Sequence, residues 1–113
     1  MMADILKFQS NDNYVISICF EETLKIIIKT WDEKLFQVEF DDCYKFKLDT
    51  GIEFEIGKIE IKSFQEFDSE WEMEFVKENG GCSDYYEIIF YDAWENERKN
   101  MMLIYSSYNI KQL

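Results

Sequence analysis

From Tyr14 to Lys62 apolar and polar residues alternate almost without a break. A period of two is that of a half-buried strand, because successive side chains point to opposite faces of a sheet. The inward sets are Tyr14, Ile16, Ile18 and Phe20, then Leu24, Ile26 and Ile28, then Phe36, Val38 and Phe40, then Tyr44, Phe46 and Leu48, then Ile52, Phe54 and Ile56. Short polar turns separate them, which predicts consecutive antiparallel strands.

A hairpin register is right when inward residues meet inward ones and the outer face pairs compatible charges. About Trp31-Asp32-Glu33, Ile28 meets Phe36 and Lys25 faces Glu39. About Asp41-Asp42-Cys43, Phe40 meets Tyr44 and Glu39 faces Lys45. About Asp49-Thr50-Gly51, Leu48 meets Ile52, Phe46 meets Phe54, and Lys47 and Lys45 face Glu53 and Glu55. At Gly57 the inward parity jumps to Ile59 and Ile61, which fits a bulge in one long strand or a tight turn at Gly57-Lys58. The turn would oppose Glu55 to Glu60, which favours the bulge.

Trp71, Met73 and Phe75 alternate with Glu70, Glu72 and Glu74, and the run Tyr85 to Tyr91 follows Glu78-Asn79-Gly80-Gly81. This predicts another hairpin, with Tyr86, Ile88 and Phe90 opposite Phe75, Met73 and Trp71. Met101 to Tyr105 forms a last strand, and residues 3 to 9 a short helix. No Pro, linker or repeat interrupts the chain. The expectation is a single all-β domain over residues 1–113: a mainly antiparallel meander of about eight strands, as a curved sheet, a sandwich or a partly closed barrel.

With 47% hydrophobic residues the chain is too apolar for disorder despite its net charge of −12. The start, MMADILKF, has no basic n-region, and no apolar run reaches membrane-spanning length, so a soluble cytoplasmic protein is expected. Cys19, Cys43 and Cys82 form no C-x-x-C pair, and their odd number points to reduced thiols. Histidine is absent, which removes the commonest general base and transition-metal ligand. Carboxylate pairs are abundant, but no loop has calcium-binding spacing, and Gly80-Gly81 lacks the lysine of a phosphate loop. The expectation is no enzyme, no cofactor and no metal.

The acidity is concentrated. Residues 63 to 97 hold eleven Asp or Glu against one Lys. Such a charge repels phosphate backbones and anionic lipid, which argues against nucleic acid and membranes as partners and for a basic protein. Glu70, Glu72, Glu74 and Glu87 are the candidate steering residues, and Tyr85, Tyr91 and Trp94 the candidate aromatic contacts.

Short, acidic, histidine-free β-meanders of this kind resemble the immunity proteins of bacterial contact-dependent and polymorphic toxin systems. The resemblance is carried by TLKIIIKTWDEKLFQVEFDDC (residues 23 to 43) and YYEIIFYDAWENE (residues 85 to 97). It implies a cytosolic antidote that binds and blocks a toxin domain, and assigns no residue a role. The alternative is a β-barrel carrier of a small apolar ligand.

Overall fold

The computed structural model describes residues 5–9, 12–79, 84–95 and 97–113. A short 3₁₀ turn, Ile5–Phe8, precedes strands β1 (Tyr14–Phe20), β2 (Leu24–Lys29), β3 (Leu35–Asp41), β4 (Lys45–Leu48) and β5 (Phe54–Ser63). A second 3₁₀ turn, Phe64–Glu66, leads into helix α1 (Glu70–Asn79), followed by β6 (Tyr86–Asp92), β7 (Lys99–Tyr105) and β8 (Ser107–Gln112). The strands form one antiparallel eight-stranded sheet in the order β4-β7-β6-β5-β1-β2-β3-β8. It bends around its main apolar core but does not close into a barrel, with β4 and β8 as its edges.

The β2–β3 hairpin has the register its sequence predicts, with Ile28 opposite Phe36 and Lys25 opposite Glu39. Leu24, Ile26, Ile28, Val38 and Phe40 are fully buried, and burying each such side chain contributes about 1.5–3 kcal/mol. The next two predicted hairpins do not form. Asp42 takes a left-handed conformation (φ 52°) that turns the chain away from β3, and β4 pairs with β7 instead, Phe46 opposite Leu103 and Leu48 opposite Met101. Leu103 and Met101 are fully buried, whereas Ile52, the local partner expected for Leu48, is mostly exposed. The distant pairing removes more apolar surface from water, and it wins for that reason. At the same corner the Tyr44 amide donates to the Ile104 carbonyl (2.8 Å) and the Ser106 amide to the Asp41 carbonyl (3.0 Å). The β3–β4 and β7–β8 segments therefore bend together. β8, not foreseen from sequence, completes the sheet by placing Ile110 opposite Val38 and Tyr108 opposite Phe40.

Two irregularities reset which face the side chains occupy. In β1 a register shift between Val15 and Ser17 puts Val15, not Tyr14 or Ile16, in the interior, and leaves Tyr14 and Phe20 exposed. An extra residue in a strand reverses its parity, so the inward set expected for β1 holds only at Ile18. In β5 the shift lies between Ile56 and Ile59, and both sides of it stay buried, as a bulge at Gly57 requires. The backbone there is held by the Ile56 amide donating to the Asn13 carbonyl (2.8 Å) and the Ile59 amide donating to Gln9 Oε1 (2.8 Å).

The largest departure from the sequence expectation lies at residues 70–79, which form a helix and not a strand. The alternation Trp71, Met73, Phe75 competes here with a helical spacing that puts Trp71 and Phe75 on one face. Ser69 decides between them. Its hydroxyl accepts from the Glu72 amide (3.1 Å) while Glu72 Oε1 accepts from the Ser69 amide (2.8 Å), a reciprocal cap that satisfies donors otherwise left open at a helix start. Phe75 then packs with Phe67 and Ile104 on the outer face of β7, with Trp71, Val76 and Tyr85 around them.

The β5 bulge yields a test. A Cβ on Gly57 would lie 2.4 Å from the Asp92 carbonyl oxygen and 3.0 Å from Ala93 Cα, and backbone atoms cannot turn aside as a side chain would. Gly57→Ala is expected to cost about 2 kcal/mol or more, read as a lower urea midpoint at unchanged slope. A midpoint equal to that of the wild type would show that β6 has room to yield.

Candidate functional site

The candidate residues of the acidic region separate into three places. Glu70 and Glu74 lie on the solvent face of α1, with Glu74 2.9 Å from Lys45 Nζ. Glu72 and Glu87 are 1% exposed and meet each other beneath the helix. Tyr85 is half-buried with its ring 5.1 Å from that of Phe75, so it belongs to the packing under α1. Tyr91 is half-buried, its hydroxyl donates to Glu60 (2.8 Å), and Lys58 Nζ lies 5.3 Å from its ring centre. Burial, then the Glu60 contact, pushes the Tyr91 phenol up to about 12. Trp94 stands apart on the β6–β7 turn and is 82% exposed. Glu72 and Glu87 are thus corrected from surface residues to interior ones, because a helix, unlike the expected strand, turns Glu72 toward the sheet.

Those two carboxyls and Lys62, which stands opposite Glu87 in the β5–β6 ladder, form the most organised polar cluster among the described residues. Lys62 Nζ is 2.8 Å from Glu72 Oε2 and 2.9 Å from Asp68 Oδ1. Glu72 Oε1 also accepts from the amides of Asp68 (2.7 Å) and Ser69 (2.8 Å). Burial acts to raise Glu72, but hydrogen bonds from Glu87, Lys62 and those amides outweigh it and hold Glu72 well below the usual carboxylate range. Burial, then the hydrogen bond and charge of Glu72, push Glu87 up to about 9. Glu87 is therefore a neutral acid at pH 7 that donates to an anionic Glu72, since two carboxylates in one low-dielectric site cannot both ionise. Its Oε1 has no hydrogen-bond partner.

The signal for this cluster was present in the sequence as two S-x-x-E boxes, Ser63 to Glu66 and Ser69 to Glu72. Both close in the structure, with Glu66 Oε1 accepting from the Ser63 amide at 2.8 Å. The capped α1 is thereby presented as a fixed acidic surface.

No protein-family model, curated protein or solved structure matches this chain. No set of three or more cysteine or carboxylate side chains converges as a metal site among the described residues. Burial pushes the Cys43 thiol up to about 11, which lowers its thiolate fraction and its reactivity. Cys19 is exposed. Cys82 and the Gly80-Gly81 turn fall outside the described residues. No helix among the described residues is long and apolar enough to cross a membrane.

The Glu72–Glu87 pair makes stability depend on pH in opposite senses. Glu87 is raised in the fold, so its contribution is complete below the unfolded carboxyl value of about 4.3 and is lost as pH climbs toward the folded value. Glu72 is depressed, so its contribution is present above roughly pH 4 and is lost on acidification. Glu87→Gln keeps a neutral donor to Glu72 and is expected to flatten the fall in stability between roughly pH 5 and 9. Glu72→Gln removes the buried half of the Lys62 pairing, leaving it the exposed Asp68 carboxylate, and is expected to cost about 2 kcal/mol. Urea denaturation across that range checks both, and parallel slopes for the wild type and Glu87→Gln would mean that Glu87 is ionised in the fold.

Proposed function

We propose that this chain is a non-enzymatic binding protein that captures a basic protein partner and blocks it, in the manner of an immunity protein acting on a bacterial toxin domain. The observation that carries this reading is the solvent face of α1. Glu70, Glu74 and Glu78 recur every four residues along it, exposed Met73 lies among them, and exposed Glu66 and Asp68 extend the charge toward the preceding turn. Lys77 is the one base on the helix.

Like charges four apart weaken a helix slightly, so this arrangement suits attraction at a distance better than helix stability. Summed over a surface, such charge accelerates encounter with a cationic partner. The helix carrying it is capped by Ser69 and Glu72 and pinned by Lys62. Its carboxylates are therefore in place before binding, which limits the ordering cost on association. A toxin that acts on nucleic acid would present the positive cleft this surface complements.

The carrier reading has less behind it. A carrier needs internal room, whereas the inward rings pack against one another, Phe54 with Phe90 at 6.4 Å and Phe40 with Tyr105 at 5.2 Å.

The test begins by immobilising the chain and passing lysate from its own source over it at low and at high salt. The expected result is salt-sensitive retention of a basic protein whose toxic activity an excess of the chain abolishes. With that protein purified, the triple variant Glu70→Gln/Glu74→Gln/Glu78→Gln should slow association about tenfold at low ionic strength and little at high. A rate indifferent to salt and to the variant would refute electrostatic capture through α1.

A further inference from the structure

Away from α1, the start of β1, the chain entering β5 and the β6–β7 turn enclose an open cleft of about 690 Å³. Tyr14, Ile16, Phe54 and Trp94 supply its apolar surface, and Glu53, Glu55, Asp92 and Lys29 also line it. The reversed parity of β1 is what turns Tyr14 outward into it. The charge of Lys29 is partly taken by Glu33, 3.7 Å away, so the cleft is negative as well as aromatic. A second hollow shares Tyr14 and Lys29 and adds Trp31, itself 69% exposed, with Asp12 and Glu33.

Trp94 is exposed because a built turn holds it there. Asp92 Oδ2 accepts from the amides of Trp94 (2.9 Å) and Glu95 (2.8 Å), and Asp92 Oδ1 accepts from Asn100 Nδ2 (2.9 Å). The Asp92 amide donates to the Arg98 carbonyl, and the Arg98 amide to the Glu95 carbonyl, both at 2.8 Å. Gly57 lets β5 close against this turn, since any Cβ would strike the Asp92 carbonyl. A turn fixed by so many bonds presents the exposed indole from a rigid backbone, and exposed aromatic side chains carry much of the binding energy at interfaces.

We propose that this cleft docks an arginine-bearing segment of the basic partner, a guanidinium stacking on Trp94 and Tyr14 while its donors reach Glu53 and Glu55. The proposal rests on the reading that the partner is a basic protein, and adds where and through which side chain it is gripped. Arginine suits the cleft better than lysine because its planar group stacks on rings and binds carboxylates through two parallel hydrogen bonds. The second hollow lets the segment continue past Tyr14 to a further cation at Trp31. A second copy of the chain fits poorly, since its net charge of −12 opposes docking on a negative cleft.

The test measures binding of a fluorescein-labelled Arg-Gly peptide to the full chain at physiological ionic strength. Trp94→Ala, and separately Glu53→Gln/Glu55→Gln, should each weaken binding about tenfold, and Trp94→Tyr should restore most of it. Glu70→Gln/Glu74→Gln/Glu78→Gln should weaken it less than about threefold, because screening leaves distant charges little effect. Trp94 packs little, so far-UV circular dichroism of Trp94→Ala should match the wild type. Equal losses from the two sets of charge variants would overturn the cleft while leaving the basic-partner reading standing. No binding of the peptide, or self-association that Trp94→Ala abolishes, would likewise overturn it. Failure of the wider reading shows separately, as the absence of any basic protein retained from the lysate.

Discussion

The outer layer of this protein depends on one carboxylate. Glu72 caps α1 through the Ser69 and Asp68 amides, receives Lys62 from β5 and meets the carboxyl of Glu87 on β6. Helix start, strand and sheet face thus converge on a single side chain. An isolated buried anion would be costly, and it is tolerated because every neighbour supplies a donor. The neutral Glu87 is part of that solution, for it adds a hydrogen bond where a second anion would add repulsion. Packing of Phe75 against Phe67 and Ile104 completes the seat of the helix.

The two bulges do comparable work within β1 and β5. An inserted residue in β1 brings Val15 into the core and sends Tyr14 out, and the Gly57 bulge keeps Phe54, Ile56 and Ile59 inside while admitting the Asp92 carbonyl. Both surfaces proposed for binding therefore lie where the regular ladder is broken or covered. The sheet supplies rigidity, and its irregularities decide which polar and aromatic groups reach solvent.

Much of the fold was legible where the relevant contacts are local. The β2–β3 hairpin follows from its turn and from the match of Lys25 with Glu39, and the Gly57 bulge from a parity jump within ten residues. Residues 70–79 are ambiguous in sequence because Trp71, Met73 and Phe75 satisfy a period of two while Trp71 and Phe75 also satisfy a helical one, and the Ser69 cap that decides between them lies outside the apolar pattern. For the candidate site, Glu70, Glu74 and Trp94 lie on the surface, whereas Glu72 and Glu87 are buried and Tyr85 packs under α1. A carboxylate's exposure depends on what covers it, and the Lys62 that makes burial possible comes from another element.

By itself, the sequence determined the predominance of strands, the tight turns and the location of the acidic region, because periodicity, turn chemistry and charge are properties of neighbouring residues. Only the tertiary structure decided that β4 pairs with β7 and not β3, that two of the acids become interior groups, and that Tyr14 and Trp94, from opposite ends of the chain, face one cleft. Those outcomes turn on competition between distant surfaces for burial, where several local pairings look equally good and the one removing most apolar area from water prevails.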